Sequence, residues 1–360
     1  MSSFAVTAER LTIHPHPNAD ALELAQVGDY RAVVGKGQFV TGDVAIYIPE
    51  QAIVPDRLIE EFGLVGRLAG KAANRVKAVR LRGELSQGLV VRPAELAGED
   101  LGTHAAARTD FAERLGITKW VPQVPTHFSG RVSAEPDLLS WIDIENLQRF
   151  PDVFTPGEEV EATEKIHGTS YTACLVVAET PGEPPRLLVT SKGLGAQGLA
   201  LVEDEQNVYW RATRALSVDA VLVHLAHVHG ATRVALYGEL YGRGIQDLAY
   251  GAPAPALRVF DVRLEVAGQV RWIDREELFL AATAFGLELA PVLYRGPFDL
   301  TAMKALAVGS EAVSGTESHL REGIVLRAVP ERFSEVTGGR AIAKLVSPDY
   351  LTRKGGTEYE

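Results

Sequence analysis

Lys165 lies in the stretch Thr163-Glu164-Lys165-Ile166-His167-Gly168-Thr169-Ser170, after EEVEA and at the entry to the strand-like YTACLVVA. A lysine close to a glycine, on a connection between strands, can present its amine to a phosphate with little steric obstruction. Five later segments also carry charged residues: TSKGLG (190–195), LYGELYG (236–242), RVFDVR (258–263), REGIVLR (321–327) and AIAKLVS (341–347). A second basic cluster lies far upstream. In RVKAVRLRG a period of two puts Arg75 with Lys77, and Arg80 with Arg82, on shared strand faces. Such a strip could track phosphates or could protect an edge strand with charge, and the pattern fits both. His224, His227 and His229 have helical spacing, but VLVHLAHVHG has no carboxylate or cysteine at matching positions and reads as a polar helix face.

These side chains need elements to hold them. Residues 4–93 read as short β segments: FAVTAERLTI, ALELAQVG, YRAVVGK, DVAIYIP and RVKAVRLRG followed by QGLVVRP. Turn chemistry at His16-Pro17-Asn18, Gly28-Asp29, Gly35-Lys36-Gly37 and Gly42-Asp43 separates them. Together with one brief helix near LIEEFGL, they predict a small closed barrel over residues 1–95. Residues 96–136 read as a linker draped over a second domain, which spans 137–360. From WIDIENLQRF onward, strands alternate with two helices, near 201–216 and 218–229. Ser217 is the expected N-cap of the second helix and Gly230 its C′ residue.

A length of 360 residues favours two domains over one core. With 34 Gly and 19 Pro, turns and short strands are expected rather than long helices. Cys174 is the only cysteine, which excludes an intrachain disulfide framework and a cysteine-based zinc site and fits a reducing cytoplasm. The start MSSFAVTAERL lacks a signal-peptide pattern and no apolar run is long enough for a bilayer, so a soluble intracellular protein without membrane contact is expected; a monomer is the expected state. The net charge of −11 argues against a surface coated with cations, yet a local basic strip can still bind nucleic acid.

TEKIHGTS and the five segments after it resemble, in order, the motifs of covalent nucleotidyltransferases, and the Glu-Lys-Ile-His-Gly form is that of ATP-dependent RNA ligases. HPHPNADALELAQVG resembles the opening of tRNA-binding-type OB modules. A barrel in front of the catalytic domain resembles the branch represented by Deinococcus RNA ligase. With sixteen residues after Lys344, no OB domain is expected behind it. The resemblance implies an α+β fold: an N-terminal OB barrel, then a nucleotidyltransferase domain of antiparallel sheets flanked by helices. It implies that Lys165 attacks the α-phosphorus of ATP and carries AMP, which then passes to a 5′-phosphate for attack by a 3′-hydroxyl. The expected substrate is a nick in a duplex with RNA on the 3′-OH side.

A free lysine, with a pKa of about 10.4, is mostly protonated near neutral pH, so a metal ion and a second cation such as Lys344 are needed to favour the neutral amine. Mg²⁺ or Mn²⁺ takes hard oxygen ligands, for which Glu322 is the first choice and Glu239 the second. By the same resemblance His167 acts in sealing, Phe260 stacks on adenine with Asp261 close behind, and Glu164, Ile166, Gly168, Lys192 and Glu239 belong to the nucleotide site. The Asn-containing WIDIENLQRF helps to line it. Lys192 replaces a commoner Arg, Ser170 a commoner Asn and Ile342 a commoner Lys, which leaves phosphate neutralisation to Lys344 and Arg340. A capping-type guanylyltransferase using GTP and a non-enzymatic OB-fold RNA-binding protein are the rival readings.

Overall fold

The computed structural model describes residues 4–121, 128–178, 180 and 182–356. Alternating apolar residues in the first ninety positions build two three-stranded sheets. Thr7–Arg10, Val44–Ile48 and Leu89–Val91 form one, and Thr12–Pro15, Leu22–Val27 and Tyr30–Gly35 the other. Leu11, Ala25, Val27, Val34, Phe39 and Tyr47 fill the space between them, as the barrel reading expects. Gly28 turns the second hairpin at φ +58°, and a Cβ there would meet Gln148 O at 3.0 Å. Its neighbour Asp29 donates its N–H to Gln148 O at 2.7 Å and pairs with Lys304 at 2.7 Å. The tip of the barrel is thus seated on the second unit.

Two expectations for the first half need correction. Within RVKAVRLRG only Val79–Leu81 is a strand, paired with Glu84–Ser86, and Arg82 is left-handed at φ 50° in the intervening turn. The period of two therefore does not run from Arg75 to Arg82. Nor do residues 96–117, the first part of the expected linker 96–136, drape over the second domain. Helices Leu101–Ala107 and Ala112–Leu115 follow, and Leu96, Phe111, Ala112, Leu115 and Ile117 bury against Val6, Ile46, Ile48 and Leu58 of the barrel unit. These elements are too short to show a helical period in the sequence.

Among the described residues the second unit holds two large sheets and a two-stranded one, Phe333–Ser334 with Gly339–Arg340. Its seven-stranded sheet runs in the order Val132–Ala134, Leu199–Leu201, Arg186–Ser191, Thr169–Val176, Arg233–Tyr241, Ala256–Val266, Gln269–Trp272. Its first strand precedes residue 137, so the unit begins earlier than expected. The five-stranded sheet runs Glu145–Asn146, Ile342–Val346, Gly323–Ala328, Glu159–Lys165, Val292–Pro297, antiparallel except for its first pair. Helices Val208–Ala215 and Val218–His229 cover the larger sheet with Tyr209, Trp210, Val221, Leu222 and Leu225.

Gly230 is left-handed, as a C′ residue should be, whereas Ser217 is itself left-handed at φ 49° and makes no side-chain cap. Only two residues join these helices, and the reversal takes the backbone geometry that an N-cap needs. Among the described residues of this unit two longer helices, Arg275–Phe285 and Leu300–Ala307, and two of four residues, Lys192–Gly195 and Pro348–Leu351, lie outside the two expected stretches. The cap residues of the longer pair, Asp274 accepting from Glu277 N and Asp299 accepting from Ala302 N, are sequence signals nonetheless. His229 pairs with Glu277, and His224 meets the Phe285 ring at 5.2 Å, so two of the three histidines serve helix packing. Among the described residues no helix is long and apolar enough to cross a membrane.

Candidate active site

The strand Glu159–Lys165 belongs to the smaller sheet and Thr169–Val176 to the larger, so Ile166-His167-Gly168 is the crossing between them. Only glycine fits at its end. A Cβ on Gly168 would lie 2.0 Å from Leu240 O and 3.0 Å from the Glu239 side chain. Lys165, the last residue of its strand, reaches into the cleft between the sheets, with Nζ 2.7 Å from Glu322 Oε1. Burial alone would lower the Lys165 pKa, but the carboxylates of Glu322 and Glu239 outweigh it and hold the ammonium above its ordinary value.

Burial likewise raises Glu239 to about 8, with Lys165 opposing and Glu322 adding to the rise. Lys344 moves the other way. Burial first, then the charges of Lys192 and Lys165, bring it down to about 8. Glu322 Oε2 is buried without a hydrogen-bond partner, an orphaned hard oxygen next to Lys165 that fits a divalent cation.

A cavity of about 240 Å³ opens beside the amine, bounded by Ile166, Gly168, Lys192, Glu239, Phe260 and Lys344, with Trp141 and Ile144 from WIDIENLQRF. Trp141 meets the Phe260 ring edge-to-face at 4.9 Å and fixes its plane. Lys192 is ion-paired with Asp143, a partner not singled out from sequence although it sits in the segment expected to line the pocket.

Several expected residues lie elsewhere. Asp261 does not line the cavity: its buried carboxylate binds Arg340 and Arg327. The strand carries a bulge opposite Tyr237 and Gly238, where Phe260 has no partner in the register, and Asp261 is placed behind it. Arg340 is engaged by Asp261 and Glu331 and is also absent from the lining, so Arg327 rather than Arg340 borders the cavity with Lys344 and Lys192. Glu164 borders it with its carboxylate directed to other partners. One oxygen accepts Ala312 N–H at 2.7 Å, and burial raises the group to about 7.

A larger groove, about 670 Å³, separates the two units at the same lysine. Tyr47, Arg108, Lys119 and Trp120 line one wall, and Lys165, His167, Glu322, Lys344 and Tyr350 the other. None of the four cations singled out in RVKAVRLRG borders it. Arg75 stacks 3.9 Å above Trp120, Arg80 pairs with Asp349 at 3.0 Å, Lys77 is half-buried, and Arg82 is exposed in its turn.

Lys165, at the crossing between the two sheets, thus faces a cleft that the Phe260 ring and two further lysines, Lys192 and Lys344, also line. The RNA ligase family model matches residues 158–346 and an OB-fold domain model residues 5–93. The chain belongs to the RNA ligase family. No curated protein matches it. It is similar over its length to solved structures of Naegleria gruberi RNA ligase. One mutant of that enzyme with ATP and Mn is 25% identical, with 97% of each chain covered and a TM-score of 0.76. Another mutant with ATP and Mn is 24% identical, covering 96% of this chain and 98% of the other at a TM-score of 0.78. The enzyme with PPi has the same identity and TM-score, with 97% and 98% covered.

Proposed function

We propose that the chain is an ATP-dependent RNA ligase that seals 3′-OH/5′-phosphate nicks in duplexes with RNA on the 3′-OH side, through AMP carried on Lys165. The observation that carries this reading is the Lys165 amine in the cleft, between a paired carboxylate and a lysine whose pKa is brought down to about 8. The Lys165 ammonium first gives up a proton; the neutral Nζ then forms a P–N bond to the α-phosphorus and releases its second proton to solvent as the bond to pyrophosphate breaks. The 5′-phosphate of the nick next takes AMP from Lys165, and the 3′-hydroxyl then displaces AMP to form the phosphodiester.

Lys344 and Lys192 border the cavity where the α-phosphate would sit, and Phe260 offers its face to the base. Glu322, with Glu239 opposite, would hold Mg²⁺ or Mn²⁺, which when bound neutralises phosphate charge. The structures of Naegleria RNA ligase with ATP, AMP and Mn support this choice of nucleotide and metal. The lone buried thiol of Cys174 supports work in a reducing cytoplasm, where no disulfide is needed.

The test is incubation of the purified chain with labelled ATP, GTP or NAD, followed by sealing assays on nicks that differ only in the sugar on each side. Labelling by GTP alone would favour a capping-type guanylyltransferase, and binding of RNA with no adduct would favour a binding module. Phe260→Ala is expected to raise KM for ATP by roughly 5- to 100-fold, the worth of one base stack, with little change in kcat. An unchanged KM would remove Phe260 as the platform.

The two units should divide the work. A fragment starting at Asp137 would lose the strand Val132–Ala134 and the buried Phe128, so the informative one starts at 128. It retains the whole cavity and should form ligase-AMP at near-normal levels. It lacks Tyr47, Arg108, Lys119 and Trp120 on the far wall of the groove and should seal nicks poorly, most visibly at moderate salt. Equal sealing by fragment and full chain across a salt series would refute the division.

A further inference from the structure

Two side chains remote in sequence close on the residue two places after the nucleophile. His167 is buried, with Nε2 2.8 Å from Asp247 Oδ1 and Nδ1 2.7 Å from the Tyr350 hydroxyl. A carboxylate can only accept, so Nε2 carries the proton, and the lone pair on Nδ1 accepts the Tyr350 O–H. A contact from Arg353 Nη2 to Nε2 at 3.4 Å is longer than that of Asp247 and does not compete with it.

Arg353 instead covers the assembly. Its guanidinium lies 3.7 Å over the Tyr350 ring and 3.3 Å from Asp247. The backbone is held from the same side, since His167 N–H donates to the Tyr250 hydroxyl at 2.6 Å and Gly168 C=O accepts from Gln246 at 2.6 Å. Burial, the strongest influence, keeps the imidazole pKa below its ordinary value and therefore favours the neutral ring that this tautomer requires. Both ring nitrogens are engaged, so the first service of His167 is geometric.

We propose that Asp247 and Tyr350 are positioning residues for AMP transfer: they hold His167 as its Nε2–H tautomer and lock the sheet crossing behind Lys165, which makes the segment Pro348–Leu351 part of the reaction centre. The inference rests on the reading of Lys165 as the carrier of AMP. Neither residue stands in the motif segments around the nucleophile. Each reaches His167 only through the fold, Asp247 from 80 and Tyr350 from 183 positions away.

The test uses the full chain labelled with ¹⁵N in histidine, with the His167 ring signals assigned through His167→Gln. The wild type should show the neutral Nε2–H tautomer, and Tyr350→Phe and Asp247→Ala should each mix the two tautomers. Displacing the ring should lower kcat for sealing by at least about tenfold, while KM for ATP stays within about twofold. A wild-type ring in the Nδ1–H form overturns the proposal, and so does a Tyr350→Phe variant with wild-type kcat. Lys165→Ala, run in parallel, separates the two readings. If it still forms the AMP adduct, the functional reading fails. If it forms none while Tyr350→Phe seals normally, only the positioning role fails.

Discussion

Lys165→Ala is expected to abolish AMP transfer to the protein, lowering adduct formation by at least about 10³-fold, as removal of a nucleophile does. No other described lysine shares its setting. Lys344 and Lys192 border the same cavity, but neither sits at the sheet crossing beside Glu322, and Lys192 is paired with Asp143. Lys165→Arg should fail as completely, because a guanidinium keeps its charge and cannot become a nucleophile near neutral pH. It retains the positive charge beside Glu322 and Glu239, so it also separates loss of chemistry from loss of fold. Thermal melting of both variants together with gel detection of labelled, acid-labile AMP makes the check. A folded Lys165→Ala protein that still carries AMP would transfer the role to another residue.

The second large effect belongs to Glu322→Gln. The amide keeps the shape of the side chain but removes the charge, leaving a weak neutral ligand where Oε2 now offers a buried carboxylate oxygen. Adenylate transfer should fall by at least about 10²-fold, with saturation shifted to higher Mg²⁺ or Mn²⁺. An activity unchanged across both metal titrations would exclude Glu322 as a ligand.

The same substitution has a consequence for the nucleophile that can be read without ATP or metal. Glu322 is the strongest influence holding the Lys165 ammonium up against burial. Without it burial has less opposition, so the Lys165 pKa falls and its neutral form appears at lower pH. Acetylation of Lys165 followed by mass spectrometry should show a midpoint at lower pH in Glu322→Gln than in wild type. A midpoint unmoved or raised would contradict the ion pair.

What could be read from the sequence was local. The crossing Lys165-Ile166-His167-Gly168 could be singled out because TEKIHGTS resembles a family motif and the later motifs keep their order along the chain; a lysine near a glycine would not have marked it alone. The barrel strands and the helix Val218–His229 were legible because alternation, turn residues and a C′ glycine act within a few residues.

The tertiary structure decided which neighbours share a site. Phe260 and Asp261 are adjacent in the chain, yet a bulge leaves one in the cavity and buries the other against Arg327 and Arg340. Arg75 to Arg82 look like one basic face and are dispersed, because only Val79–Leu81 is extended and a left-handed Arg82 ends it. Residues 96–117 looked like a linker, since each of their elements is shorter than the window a period needs, but packing against Ile46 and Leu58 makes them part of the barrel unit. Asp143, Asp247 and Tyr350 reach the site across 49, 80 and 183 positions measured to Lys192 and His167. Local pattern fixes what a segment can become, but a hydrogen bond or ion pair between remote residues exists only once the sheets and the tail have packed, so it leaves no periodic trace in the sequence.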